Sequence, residues 1–286
     1  MMNYQKIITN LSIFHSKSIV IEPLIGGVTN ANFKISDGQN KFVARFGFES
    51  NKYLRLNRSG EIYNHTVVSK LGLSGKIVKF YAEYNMLLVE YLEGKTLDAK
   101  IARKPKIIDQ LAKILRKIHE GPKFKGIFDP FKVSRDYFDI VKNSWIPKPA
   151  KQLLKELEKY KVQLRGMNLS YSCHLDLFPP NILLKDDKIK LLDWEYSARS
   201  DYRFDLATLS AMAEFEPKHD KLLIKSYGKN DLSLDQLNIA KAIMLIREIG
   251  WDLVQVKYSK LYFDYKKYTF DNLKRYQKVL KYQTIV

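Results

Sequence analysis

Cys173-His174-Leu175-Asp176-Leu177-Phe178-Pro179-Pro180-Asn181 holds the pattern His-x-Asp-x-x-x-x-Asn, and Asp193-Trp194-Glu195-Tyr196 begins twelve residues after Asn181. Between them, Ile182 to Leu184 and Ile189 to Leu192 are short apolar runs that flank Asp186-Asp187, an acidic pair suited to a hairpin turn. The loop brings Asp176 near Asn181, and the hairpin returns the chain so that Asp193 lies beside Asn181. Two carboxylates and one amide oxygen then share a small volume. Hard oxygen donors of this kind suit Mg²⁺, which keeps waters and shares phosphate oxygens. Asp176 is left to orient an attacking hydroxyl and accept its proton. The set predicts phosphoryl transfer, with Asp176 catalytic and Asn181 and Asp193 holding metal. Polar turns rich in Asp and Asn also arise by chance; the hairpin that ends in Asp-Trp-Glu-Tyr sets this one apart. His174 predicts a packed, hydrogen-bonded histidine that holds the loop.

Upstream, the first ninety residues read as strands and turns. Ile19 to Ile21 is a short strand-like run broken by Gly26-Gly27, and Asn32 to Ile35 and Lys41 to Phe46 flank an Asp37-Gly38 hairpin turn. A helix fits Asn57 to Leu71, closed by Gly72. Ile77 to Tyr81 and Met86 to Tyr91 follow as strands. After Gly94 the period becomes helical: Ile108, Leu111, Ala112, Leu115 and Ile118 fall on one face, and Leu153, Leu154 and Leu157 start another. From Asp205 onward the pattern is helical, through Asp235 to Tyr262. The division expected is a β-rich N-terminal lobe, residues 1–92, and a larger, mostly helical C-terminal lobe, residues 93–286, with a ligand cleft between them.

Composition bounds these readings. The 286 residues amount to roughly two domains, or one enzyme with two lobes. An apolar fraction of 45% with 13% aromatics excludes intrinsic disorder. The single cysteine, Cys173, excludes a disulfide scaffold and a Cys-based zinc site. Basic residues outnumber acidic ones 49 to 31, for a net charge of +18. They are spread from Lys6 to Lys281 and read as a Lys-rich surface; an anionic small ligand is the first partner this charge suggests, ahead of nucleic acid or an anionic membrane. No apolar run approaches the ~18 residues of a membrane span, and Met1 to Ser18 lacks the apolar core of a leader peptide. The location expected is the cytoplasm, with neither a membrane span nor a nucleic-acid partner.

Gly26-Gly27-Val28-Thr29-Asn30, the strand ending in Arg45, the His174–Asn181 loop, Asp193-Trp194-Glu195-Tyr196 and Phe204-Asp205-Leu206-Ala207 resemble the choline/ethanolamine kinase family, within the wider aminoglycoside phosphotransferase and protein-kinase-like group. The resemblance covers roughly residues 20 to 275 in matching order. It implies an α+β, bilobal protein-kinase-like fold with ATP bound by the small lobe. Gly27, Thr29 and Asn30 would lie over the phosphates, although the turn departs from Gly-x-Gly-x-x-Gly. Two glycines let backbone N–H groups approach an anion closely. Arg45 would meet the α- and β-phosphates, a planar fork suited to phosphate oxygens, with Glu61 as its ion-pair partner. Backbone groups of Glu90 and Leu92 would meet the adenine.

The resemblance also implies where the acceptor sits. Glu195 lies two residues after Asp193 and shares its side of an extended segment. With the aromatic faces of Trp251 and Tyr268 it would receive a quaternary ammonium, which donates no ordinary hydrogen bond. Trp251, Val254, Tyr258 and Tyr262 also form a helical stripe of the kind that builds cores. Glu248 stands where choline kinases often carry a second aromatic, which widens the acceptors to ethanolamine, thiamine or another amino alcohol. The function expected is an ATP- and Mg²⁺-dependent kinase of a small cationic alcohol, choline first. The alternatives are a kinase of another hydroxyl compound, ethanolamine, thiamine or an aminoglycoside, and a non-catalytic kinase-fold protein that binds nucleic acid or membrane.

Overall fold

The computed structural model describes residues 3–14, 18–25 and 27–283. Gly26, expected in the glycine turn, lies outside the described residues. The chain runs α1 (Tyr4–Thr9), β1 (Val20–Leu24), β2 (Asn30–Ser36), β3 (Lys41–Gly47), α2 (Arg58–Lys70), β4 (Ile77–Tyr81) and β5 (Met86–Glu90). It continues through β6 (Lys95–Thr96), α3 (Ala99–Ala102), α4 (Pro105–His119), α5 (Pro130–Val141), α6 (Leu153–Gln163), β7 (Tyr171–Cys173), β8 (Ile182–Lys185), β9 (Lys188–Leu191) and β10 (Ala198–Ser200). It ends with α7 (Tyr202–Met212), α8 (Pro217–Tyr227), α9 (Leu234–Tyr258) and α10 (Tyr265–Gln283).

The first five strands form one antiparallel sheet in the order β1-β2-β3-β5-β4. The turn between β2 and β3 follows from Asp37, whose Oδ1 accepts the amides of Gln39 and Asn40, and from Gly38 at φ +88°. Strand alternation then sorts β3: Ala44 and Phe46 face a small apolar core with Ile8, Phe14, Ile35 and Met86, while Val43 and Arg45 face the cleft. Helix α2 starts where Asn57 accepts the Gly60 amide at 3.1 Å, a cap worth about 1 kcal/mol. It stops where Gly72, at φ +75°, donates to Ser69 O while Leu73 donates to Val68 O. Asn64, fully buried on α2, binds Ser197 O and the Lys125 amide, both 2.8 Å, and so ties α2 to the helical half.

The helical half is built around α9, a 25-residue helix packed by α5, α7 and α10. On α4 the expected face of Ile108, Leu111, Ala112, Leu115 and Ile118 is buried to the last residue. The β8–β9 hairpin turns through Asp186 and Asp187, both left-handed at φ +48° and +59°. Two short strands, β7 and β10, pair with each other, and β6 pairs with β8. Two expectations fail. Asp193 is left-handed at φ +62° and Glu195 lies in a turn, so the two do not share an extended segment, although both line one cavity. The helix read through Tyr262 ends at Tyr258, because Ser259 is extended and Asp264 Oδ1 accepts the Lys267 amide to cap a new helix. Tyr262 is fully exposed and belongs to no stripe. Among the described residues no helix is long and apolar enough to cross a membrane.

Candidate active site

Asp205, in the first turn of α7, organises the loop that carries Asp176. Its carboxylate accepts the backbone amides of His174 at 2.8 Å and Leu175 at 2.6 Å, and bonds His119 Nε2 at 2.9 Å. His174 is buried and bonds Leu192 O at 2.8 Å through Nε2, as a loop-holding histidine should. Asn181 Nδ2 then donates to both the carbonyl and Oδ2 of Asp176, at 2.8 and 2.9 Å. The hairpin returns as expected: the Leu192 amide donates to Asn181 O at 2.8 Å, and Asp193 follows with φ +62°.

Two cavities meet at this point. The first, about 400 Å³, lies under the sheet and is lined by Gly27, Arg45, His65, Glu90, Leu92, Asn181 and Asp193. The second, about 290 Å³, is lined by Gly27, Thr29, Asn30, Asp176, Asn181, Asp193, Glu195, Glu248, Trp251, Phe263 and Tyr268. Asn181 and Asp193 belong to both walls. Arg45 lines only the first cavity and Asp176 only the second.

Arg45 is the electrostatic centre of the junction. Its guanidinium bonds Asp193, pairs with Glu61 at 3.1 Å and lies 3.6 Å from Glu195. Burial acts to lower its pKa, and the carboxylates of Asp193, Glu61 and Glu195 more than offset this, so the group is held firmly charged. Glu61 is itself buried and also bonds Arg58. The expected Arg45–Glu61 pair is thus present, with Asp193 as a further partner. Glu195 accepts from Asn30 Nδ2 at 2.8 Å. Burial and the Asp193 charge push its carboxyl up to about 7. Burial, then Asp193, likewise pushes the Asp176 carboxyl well above the usual range.

The resemblance places Thr29 and Asn30 over the phosphates. They are buried and line the second cavity rather than the first, with the Asn30 amide engaged by Glu195. The side chain on each wall is set by how β2 begins against the helical half, which the motif alone does not encode. Glu90 and Leu92 line the first cavity. Trp251 is 5% exposed, packs in the main core and also lines the second cavity. Tyr268 lines the same cavity.

Three contributors escaped the sequence reading. Asp205 was visible only as part of a motif, although a carboxylate inside an apolar helix start is a signal of buried bonding. Phe263, whose ring lies 5.7 Å from that of Tyr268, lies between α9 and α10, one residue past the helix expected through Tyr262. Arg247 stands within the apolar run of α9 and lines the second cavity.

For Mg²⁺ the donors fit. Asn181 spends its amide nitrogen on Asp176, which leaves Oδ1 for the junction, and one Asp193 oxygen lies against Arg45. An amide oxygen and a carboxylate are the hard donors this ion takes.

Residues 21–220 match the family model described as choline/ethanolamine kinase. Protein LicA of Haemophilus influenzae is 30% identical over 208 residues, which covers 71% of this chain and 61% of that protein. A probable ethanolamine kinase of Arabidopsis thaliana is 25% identical over 302 aligned positions, 90% of this chain and 79% of that one. The crystal structure of choline kinase LicA from Streptococcus pneumoniae superposes with a TM-score of 0.84 at 26% identity, covering 99% of each chain.

Proposed function

The chain belongs to the choline/ethanolamine kinase family, and from that premise we propose that it transfers the γ-phosphoryl group of ATP to the hydroxyl of a small cationic alcohol, choline first. The observation that carries the reading is the junction itself. A cleft with a buried guanidinium and a cage with aromatic and acidic walls adjoin one another, and Gly27, Asn32, Pro180, Asn181 and Asp193 line both.

In this reading ATP occupies the first cavity, with the adenine against the backbone of Glu90 to Leu92. Arg45, oriented by Glu61, presents its fork to the phosphates. Asn181 and Asp193 hold Mg²⁺, which when bound neutralises phosphate charge. The acceptor lies in the second cavity with its hydroxyl at Asp176. The hydroxyl oxygen forms the new bond to the γ-phosphorus, the bond to the bridging oxygen breaks, and ADP leaves. The hydroxyl proton passes to the Asp176 carboxylate, which the Asn181 amide orients. Trp251, Phe263 and Tyr268 offer π faces to the cation, with Glu195 as counter-charge.

Ethanolamine is the second reading. Glu248 on the cavity wall favours it, since a carboxylate receives the N–H donors that a primary ammonium has and choline lacks. The Arabidopsis relative supports it as well. An ATP-consumption screen with choline, ethanolamine, thiamine and a kanamycin-type aminoglycoside separates these. Turnover with choline above all others supports the first reading. Turnover only with ethanolamine, or only with an aminoglycoside, replaces it.

A further inference from the structure

The peptide that leads into Asp176 is held on both sides. Leu175 has a left-handed backbone, φ +67°, which is unfavourable for a side chain of this size. Its amide goes to Asp205, and the next amide, that of Asp176, donates to His174 Nδ1 at 3.2 Å. Its carbonyl accepts from Nη2 of Arg247 at 2.8 Å. Arg247 reaches across from α9 and is 1% exposed. Its Nη1 donates to Glu248 Oε2 at 2.9 Å, and its guanidinium carbon lies 5.4 Å from the Tyr196 ring and 5.9 Å from the Phe128 ring. Glu248 stands on the wall of the acceptor cavity, as Asp176 does.

A fully buried guanidinium is costly unless its contacts use its geometry. The Arg247–Glu248 pair joins neighbours on one helix and so cross-links nothing by itself. The cross-link Arg247 makes is to the Leu175 carbonyl. Rotation of that peptide would swing Asp176 directly, and a displacement near 1 Å at a reacting group costs about 10²-fold in rate.

We propose that Arg247 is a positioning residue for the phosphoryl transfer: it fixes the Leu175 carbonyl, and so the place from which Asp176 meets the acceptor hydroxyl, while Glu248 orients the guanidinium from the cavity wall. This inference rests on the transfer reading above. Arg is required because one group must reach two acceptors at once, which a single ammonium does poorly.

The test compares Arg247→Lys, Glu248→Ala and Glu248→Gln with the wild-type chain at saturating ATP and acceptor. Nucleotide affinity is measured separately with a fluorescent ADP, and melting by circular dichroism. Arg247→Lys should lower kcat about 10- to 100-fold with nucleotide affinity within about twofold. Glu248→Ala should lower kcat about tenfold, and Glu248→Gln should recover most of it, because its amide oxygen still accepts from Nη1. A kcat within twofold of wild type in Arg247→Lys overturns the proposal. So does a parallel loss of kcat, nucleotide binding and melting temperature, which marks a merely structural role. If Arg247→Lys does not fold, an unchanged kcat in Glu248→Ala overturns it equally. A wild-type chain that phosphorylates no acceptor removes the transfer reading and this inference with it. An active wild type beside an equally active Arg247→Lys removes this inference alone.

Discussion

Arg45 of β3 bonds the Asp193 carboxylate across the divide between the two cavities, and its other terminal nitrogen holds Glu61 of α2 at 3.1 Å. The contact joins the small sheet to the end of the β8–β9 hairpin. In the function proposed above, entering phosphates would take up positive charge that Asp193 shares in this structure, leaving Asp193 free to hold Mg²⁺.

Asp193→Ala should therefore abolish Mg²⁺-dependent transfer, since the phosphates lose the charged holder of their counter-ion. Asn181→Ala should weaken transfer less, because a neutral amide contributes less charge. Rates measured against Mg²⁺ concentration check both. Normal activity of Asp193→Ala at ordinary Mg²⁺ removes Asp193 from the metal role.

Asp176→Asn keeps the shape of the side chain and removes the proton acceptor. The turnover number should fall about 10²- to 10⁴-fold. Nucleotide affinity should be unchanged, because Asp176 lines only the second cavity. Near-normal turnover would show that the proton leaves by another route.

His65 gives a pH prediction. It bonds Gly75 O at 2.8 Å inside the first cavity wall, and burial, then the Arg45 charge, lowers its pKa from 6.5 to about 4. The folded pKa lies below the unfolded one, so between pH 6.5 and about 4 the unfolded chain binds a proton that the folded chain does not. Stability thus falls as pH drops through that window. At pH 5 the loss from this group is about 2 kcal/mol, at 1.36 kcal/mol per pH unit below 6.5. Urea unfolding at pH 7 and pH 5 should show a smaller difference for His65→Gln than for wild type. Equal differences would mean that His65 is not buried neutral.

Trp251→Ala should raise the acceptor KM roughly 30-fold, the equivalent of a desolvated cation–π contact near 2 kcal/mol. It should also lower the melting temperature, since the ring packs in the main core and lies 6.0 Å from Tyr265. The ATP KM should stay within about twofold. Trp251→Phe should recover most of both losses. Equal changes in the two Michaelis constants would make Trp251 a core residue alone.

Much of this architecture was legible in the chain because its signals are local. The Asp186-Asp187 turn needs only two left-handed residues, and the hairpin it makes brings Leu192 back to Asn181. The Asn57 cap and the Gly72 stop of α2 are likewise set within a few residues. What escaped depends on tertiary partners. Strands β6, β7 and β10, of three residues or fewer, persist only because β8 and each other supply the ladder. The direction of Thr29 and Asn30 follows from Glu195, 165 residues from Asn30. The break at Ser259 carries no Pro or Gly, and Asp264 caps the next helix just after Phe263, which lines the cavity. Arg247 carries no local signal either, since its partner, the Leu175 carbonyl, lies 72 residues away in the chain.

The most direct measurement follows the phosphorus itself. ATP, Mg²⁺ and choline are mixed with the full chain, and ³¹P NMR tracks the γ-phosphate. The account predicts that this signal is lost as ADP and a phosphomonoester of choline grow in equal amounts, that omission of Mg²⁺ stops the reaction, and that Asp176→Asn slows it by at least about 10²-fold. Release of inorganic phosphate at the same rate with and without any amino alcohol, or no consumption of ATP with choline or ethanolamine, would contradict it.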